Sequence, residues 1–302
     1  MINTKRKIIV IVGPTAVGKT SFSIQLAQWL NAEIISADSR QFYKEMNIGT
    51  AKPSSEELSS VKHHFINNLS VTDSFNVSDF ETQACKIIES LLDENRYCIV
   101  TGGTGLYINA LLYGLDNVPE TNSETRNLLN ETLKEKGIEA LQKMLYEQDY
   151  EYYSKVDIHN PRRIIRALEV CIFTGKKYSS FLMQKTTKRA FSPIIIGLEL
   201  PREILYARIE SRCDEMIEKG LLDEVKALLP YREFSALNTI GYTEFFDYLD
   251  EKLKYPEAVL KFKQHSRNYA KRQLTWWRNQ KEINWFDASD TDKAVNFLSG
   301  IL

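Results

Sequence analysis

The apolar run "KIIVIV" (7–12) leads without a break into "GPTAVGKT" (13–20). A continuous rather than alternating apolar run is what a strand covered on both faces of a parallel sheet requires. The octet fits Gly, four residues, Gly-Lys-Ser/Thr, the pattern of a phosphate-binding loop. Such a loop closes backbone N–H groups around phosphate oxygens, which side chains would obstruct. The octet Gly13, Pro14, Thr15, Ala16, Val17, Gly18, Lys19 and Thr20 is therefore the expected phosphate cradle. Lys19 adds positive charge, and the Thr20 hydroxyl suits a magnesium ion (Mg2+). A helix starting near Gly18 and running to Leu30 points its positive end at the anion, with Phe22, Leu26 and Trp29 or Leu30 on one face.

Strand and helix patterns alternate after the loop. "AEIISAD" (32–38) reads as a strand ending in Asp38, and "YCIVT" (97–101) as a strand entering "GGTGLY" (102–107). "SDFETQACKIIESLL" (78–92) is an amphipathic helix, with Ser78 and Glu81 as its capping box. From about 119 to 190 there is no convincing core strand. Helices are expected at 123–137, stopping at Gly137, with "IEALQKML" continuing the helical reading, and at 160–175, from Pro161 to Gly175. The strand pattern returns at "SPIIIGLEL" (192–200), and the remainder reads as mostly helical. The expected fold is α/β: a phosphate-loop NTPase-like parallel sheet flanked by helices. Residues 1–118 and 190–302 would form the core, and 119–189 a helical insertion domain.

The bulk numbers exclude some classes. The four cysteines, Cys85, Cys98, Cys171 and Cys213, lie far apart with no metal-ligand spacing, so a reducing cytoplasm is expected. The basic-then-apolar start resembles a signal peptide, but its apolar stretch ends in the phosphate loop with no small-residue cleavage site. No stretch is long enough to span a membrane. A net charge of −1 implies no partner by itself, so a nucleic-acid surface must come from clustering.

Clustering is found at 261–281, "KFKQHSRNYAKRQLTWWRNQK", with seven Lys or Arg and no acid. Helical spacing puts Lys263, Arg267, Lys271 and Arg278 near one face and Phe262, Tyr269 and Trp276 on another. The aromatics read as core, and the basic face as an RNA phosphate contact rather than a merely solvated one. Arg162, Arg163 and Arg166 form a second cluster. His63 and His64 enter the apolar run "HHFI" and read as structural rather than as a metal pair.

The fate of the phosphate is less direct. Many phosphate-loop enzymes hold magnesium with an Asp at a neighbouring strand end. Here "YCIV" ends in Thr-Gly-Gly, while "EIISA" ends in Asp38. That is thin equipment for an ATPase. A small-molecule kinase with Asp38 as base stays open.

Three stretches together, "GPTAVGKT", "DSRQFYKEMNIGTAKP" (38–53) and "GGTGLY", resemble the bacterial tRNA dimethylallyltransferases, also called tRNA isopentenyltransferases. "HNPRRIIRALEV", "TIGYTEF" (239–245) and "KRQLTWWRNQ" (271–280) extend the resemblance over nearly the whole chain. It implies transfer of a dimethylallyl group from dimethylallyl diphosphate to the exocyclic N6 amine of the adenosine 3′-adjacent to the anticodon. The 13–20 loop and magnesium would then hold the leaving diphosphate. Asp38 would be the base, and Thr104 would contact diphosphate and nucleotide. Asp38, Ser39, Arg40, Gln41, Thr104, Arg126, Arg162, Arg163, Arg166, Lys271, Arg272, Gln273 and Arg278 would meet the tRNA anticodon stem-loop, in part from the insertion. The amine is a weak nucleophile, so a carboxylate must take its proton. Gln41 has the donor and acceptor to read an adenine edge, and the base must leave its stack to reach the site. A cytoplasmic monomer is expected. Alternatives are a cap or metal-ligand role for Asp38, a turn hydroxyl for Thr104, and a surface ion pair for Arg40. For the chain as a whole they are an AMP or ADP dimethylallyltransferase, a kinase, and a non-catalytic RNA-binding module.

Overall fold

The computed structural model describes residues 6–94, 96–182, 187–280 and 282–302; Lys281 of the basic run and residues 1–5 of the apparent leader lie outside them. The chain divides into two compact units, Met1–Tyr113 with Arg189–Leu302, and Gly114–Lys188.

The first unit is built on six parallel strands: β1 (Lys7–Val12), β2 (Glu33–Ser36), β3 (His63–His64), β4 (Cys98–Thr101), β5 (Ser192–Glu199) and β6 (Ile283–Asp287). Their order is β3-β2-β4-β1-β5-β6. β1 lies inside, with Ile9 opposite Ile99 of β4 and Ile194 of β5. Alternate β1 residues feed two cores. Ile9 and Ile11 pack with Phe22, Leu26, Ile209 and Phe262, whereas Ile8, Val10 and Val12 pack with Phe80, Ile88, Ile108 and Leu111. This two-sided burial is why residues 8–12 include no polar residue.

The helices of this unit are α1 (Lys19–Leu30), α2 (Ser55–Ser60), α3 (Val77–Asp93), α4 (Gly105–Tyr113), α8 (Arg202–Glu218), α9 (Leu221–Ala227), α10 (Thr243–Leu249), α11 (Tyr255–Arg278) and α12 (Asp292–Ser299). In α1, Phe22 and Leu26 are buried as the spacing implies, but Trp29 is 50% exposed. Helix α3 does not use Ser78 and Glu81 as its box. Asn76 accepts from the Ser78 and Asp79 N–H groups, and Asp79 returns to the Asn76 N–H, so the same chemistry operates two residues earlier. Glu81 instead pairs with Arg189. The basic helix α11 begins at Tyr255 with Pro256 in its first turn, ahead of the charged run. Strand β6 departs from the helical reading of the C-terminal part; Trp285 and Phe286 register against Gly197 and Leu198 of β5. His63 and His64 form β3, and His64 Nε2 meets buried Glu33 at 2.5 Å, in line with a structural role. Among the described residues, no helix is long and apolar enough to cross a membrane.

The second unit consists of α5 (Ser123–Gln148), α6 (Tyr150–Tyr153) and α7 (Pro161–Thr174) around Leu129, Leu141, Leu145, Ile164 and Leu168. Gly137 interrupts α5 with a non-helical backbone, but the helix resumes at once and continues to Gln148. Helix α7 is capped by Asn160, starts on Pro161 and ends against Gly175. Asp149 is fully buried. It accepts from the Tyr152 N–H at 3.1 Å, the Ser179 N–H at 2.6 Å and the Ser179 hydroxyl at 2.8 Å, tying α6 to the turn after α7.

Asp149→Ala should strand these three donors and lower the opening free energy of 114–188 by roughly 2–4 kcal/mol. Native-state hydrogen exchange measures this, and a change below about 1 kcal/mol contradicts the assignment.

Candidate active site

The site gathers at the carboxyl ends of β1, β2 and β4, where ligands sit in open parallel sheets. Backbone contacts join the β2 and β4 ends: Ala37 N–H donates to Thr101 O at 2.7 Å, and Thr104 N–H to Ala37 O at 3.2 Å. Gly102 allows this approach, since a Cβ there would lie 2.4 Å from the Ala37 carbonyl carbon. Asp38 and Thr104 are thereby brought together. The Ser39 N–H donates to Thr104 Oγ1 at 3.1 Å, and Thr104 donates to Ser39 Oγ at 3.3 Å. Asp38 Oδ1 accepts the Arg40 N–H at 3.0 Å; no hydrogen bond to Oδ2 forms among the described residues.

Helix α11 closes the third side. Tyr269 OH donates to Gly103 O at 3.0 Å, and Gln273 Nε2 donates to the same oxygen at 2.8 Å. Gln273 Oε1 accepts the Thr15 N–H of the phosphate loop at 2.8 Å. Gln273 is only 5% exposed, so its amide is used inside the fold and does not face an RNA. Gln41 is similarly engaged: its Nε2 donates to Thr50 O and Ala51 O at 3.3 Å, and its Oε1 accepts from Ser36.

The phosphate loop lies between β1 and α1, with Gly18 at the N-cap of α1. Lys19 Nζ folds over the loop, donating to Gly13 O at 3.0 Å and Pro14 O at 2.8 Å. Arg212 of α8 donates to Thr15 Oγ1 at 3.2 Å. Burial, then the neighbouring Arg212, pull the Lys19 ammonium down to about 7, against the opposing pull of Asp38. Burial lowers Arg212 as well, again opposed by Asp38. Two cations face one carboxylate in a desolvated site, an arrangement that favours a bound anion.

Two spaces open here. A cavity of about 310 Å³ is lined by the polar residues Thr15, Asp38, Thr104 and Arg212 together with the apolar residues Ile209, Met216, Ile240 and Phe262. A wider cleft of about 990 Å³ holds Lys19, Thr20, Ser36 and Thr101 and shares Asp38 and Arg212 with the cavity. The Thr101 hydroxyl is buried and has no hydrogen-bond partner among the described residues. Among the described residues, no group of three or more His, Cys, Asp or Glu could hold a metal.

The other candidates are dispersed. On α11, Lys271 and Arg272 are exposed, and Arg272 lies over the Tyr269 ring. Lys263 and Arg267 are paired with Asp214 and Glu210 of α8, and Arg278 lies 3.3 Å from Glu199, so the basic face is only partly free. Phe262 is core; Tyr269 lines the cavity, and Trp277 rather than Trp276 is fully buried. In the helical unit, Arg162 and Arg163 are exposed in the first turn of α7. Arg126 and Arg166 converge on the fully buried Glu169, with Arg166 also donating to Thr121 Oγ1 at 3.1 Å. Arg212 and Tyr269 are functional candidates that sequence patterns did not single out. Arg212 sits in an ordinary amphipathic helix, and its only sequence signal is a cation on the helix's buried side.

The chain is similar to known proteins over nearly its full length. A family model described as IPP transferase matches residues 41–280. The tRNA dimethylallyltransferase of Christiangramia forsetii is 49% identical over 288 residues, covering 95% of each chain. That of Flavobacterium johnsoniae is 46% identical over 298 residues, covering 96% of each. The crystal structure of a full-length tRNA isopentenylpyrophosphate transferase from Bacillus halodurans superposes with a TM-score of 0.72 at 38% identity, covering 98% of this chain and 96% of that one. A eukaryotic dimethylallyltransferase acting on tRNA gives 0.80 at 30% identity, covering 98% and 80%.

An anion at the loop raises the Lys19 ammonium from about 7, so binding above that pH takes up protons and weakens as pH rises. Calorimetry of inorganic diphosphate in buffers of different ionisation enthalpy should show more proton uptake at pH 8 for the wild type than for Lys19→Arg, whose guanidinium stays charged. Equal uptake by the two proteins contradicts this reading.

Proposed function

The chain belongs to the IPP transferase family, and from that premise we propose that it transfers the dimethylallyl group of dimethylallyl diphosphate to the exocyclic N6 amine of the adenosine 3′-adjacent to the anticodon in tRNA, releasing diphosphate. The observation that carries this is the cavity, whose lining joins Thr15 and Ala16 of the phosphate loop and the cation Arg212 to the apolar residues Ile209, Met216, Ile240 and Phe262 around one carboxylate, Asp38. A kinase has no need of the apolar wall. A prenyltransferase of free AMP or ADP finds no support in relatives named for tRNA.

The diphosphate lies on the loop N–H groups, Lys19 and Arg212, which stabilise the charge that grows as the allylic C–O bond breaks. Ile209, Met216, Ile240 and Phe262 shield the hydrocarbon from water. Asp38 Oδ2 takes the N6 proton as the C–N bond forms. Thr104 holds the Asp38–Ser39 backbone and presents its hydroxyl to the same space. The Thr20 hydroxyl and the buried Thr101 hydroxyl offer the hard oxygen donors that magnesium prefers, together with phosphate oxygens. A magnesium ion held there would add positive charge against the diphosphate. Lys271, Arg272, Arg162 and Arg163 supply exposed cations for RNA phosphates, and the helical unit 114–188 takes part in holding the anticodon stem-loop. Arg126 and Arg166, fixed by Glu169, add a rigid pair of guanidinium groups.

Asp38→Asn should slow single-turnover transfer to saturating tRNA by about a hundredfold or more, with donor affinity little changed. An unaltered rate sinks the base assignment. Lys271→Ala with Arg272→Ala should weaken tRNA binding and reduce its salt-dependence slope by about two, close to one per lost phosphate contact. The measurement is tRNA affinity at several salt concentrations, with circular dichroism as the folding control. A wild-type slope would mean that this face is only solvated.

A further inference from the structure

The cavity wall is held from behind by residues that do not line it. Glu224 of α9 receives three consecutive backbone N–H groups: Asn47 at 2.9 Å, Ile48 at 2.8 Å and Gly49 at 3.0 Å. Its Oε1 also accepts the Tyr242 hydroxyl at 2.6 Å. Tyr242 is fully buried; burial, then Glu224, push its phenol far above the ordinary range, so it remains a neutral donor. Its ring lies against Gly49, where a Cβ would come within 2.5 Å of it. Only glycine fits that contact.

A second carboxylate acts on the same turn. Buried Glu244 accepts the Gly241 N–H at 2.7 Å and the Thr243 hydroxyl at 3.1 Å, and meets His265 Nδ1 of α11 at 2.5 Å. The turn from Thr239 to Tyr242 is thereby anchored to the helix that carries Phe262, Ser266 and Tyr269 into the cavity. Gly49 and Thr50 from one loop and Thr239 and Ile240 from the other form adjoining parts of the cavity wall. What joins the two loops is the Tyr242–Glu224 hydrogen bond together with the ring contact at Gly49.

We propose that Glu224 and Tyr242 are positioning residues that latch the 47–50 loop to the 239–242 turn, and so set how much hydrocarbon the apolar side of the cavity admits. The inference rests on the prenyl-transfer reading above. Neither residue touches the reacting atoms. With the latch closed, Ile240 is fixed among the apolar lining residues Ile209, Met216 and Phe262, and a five-carbon allyl group is held while a longer chain is excluded. With the latch open, the wall yields, the near-attack geometry loosens and selection by length is lost.

The test compares dimethylallyl diphosphate with geranyl diphosphate as donor to unmodified tRNA, using wild type, Tyr242→Phe and Glu224→Gln. In folded Tyr242→Phe, kcat with the five-carbon donor should fall about tenfold, while the affinity for inorganic diphosphate stays within about twofold. The ratio of kcat/KM for the five-carbon over the ten-carbon donor should fall at least tenfold, a quantity that a smaller active fraction does not change. A folded latch variant with the wild-type ratio overturns the proposal. Ile240→Ala leaves the latch in place and opens the wall from inside, so it reads the same ratio if the latch variants do not fold. An unchanged ratio in that variant overturns the proposal equally. Failure of the wild type to transfer the five-carbon group to tRNA would instead refute the activity itself.

Discussion

The Ala37 carbonyl accepts the Thr104 N–H across the ends of β2 and β4, with Gly102 pressed against the same peptide. This backbone junction positions the reactive edge. Asp38 follows Ala37 directly, Thr104 follows the Gly-Gly pair, and each orients the other through Ser39. Tyr269 and Gln273 both donate to Gly103 O, and Gln273 carries the tie onward to the phosphate loop through Thr15. Three strand ends and one long helix are thus joined by peptide groups whose hydrogen bonds are internally satisfied. The arrangement holds the carboxylate and the loop in register before any ligand arrives, which lowers the cost of ordering them during reaction.

Electrostatics give that frame its direction. Burial lowers Lys19 and Arg212 alike, and Asp38 opposes the shift in both. Bringing two like charges out of water is unfavourable unless an anion joins them. A diphosphate supplies several negative oxygens at once. The apolar lining residues of the cavity have the opposite character, and the proposed donor likewise joins a charged part to an apolar one.

Charge on the outer surfaces behaves differently. The run on α11 has no acid of its own, yet Lys263 and Arg267 find carboxylates on α8. Those pairs stabilise the packing of two helices and lie partly in solvent, where each contributes little. Lys271 and Arg272, nearer the helix end, stay exposed. Cations clustered along one stretch of chain therefore split into a group paired within the fold and a group left exposed to solvent.

The amino-acid sequence by itself determined the elements whose signals are local. The unbroken apolar run of β1 needs two covering layers, the glycine spacing of 13–20 marks the turn from β1 into α1, and Pro161 with Gly175 bounds α7 because one suits a helix start and the other its end. These depend on neighbours a few residues apart, so pattern and stereochemistry suffice. The motif order also carried the family resemblance, because the stretch 38–53 is far more specific than the loop alone. The tertiary structure decided whatever joins distant segments. Strand β6 forms because β5 offers it an edge, although its own five residues carry a weak period. Arg212 becomes a loop partner only when the packing of α8 brings it to Thr15. Glu224 finds the N–H groups of 47–49 from as far as 177 residues away, and Gln273 turns inward to Thr15 from 258 residues away. The physical reason is that a hydrogen-bond donor or carboxylate has no preferred partner until burial removes water as the competitor, and which groups are buried together is settled by the packing of the whole sheet and its helices.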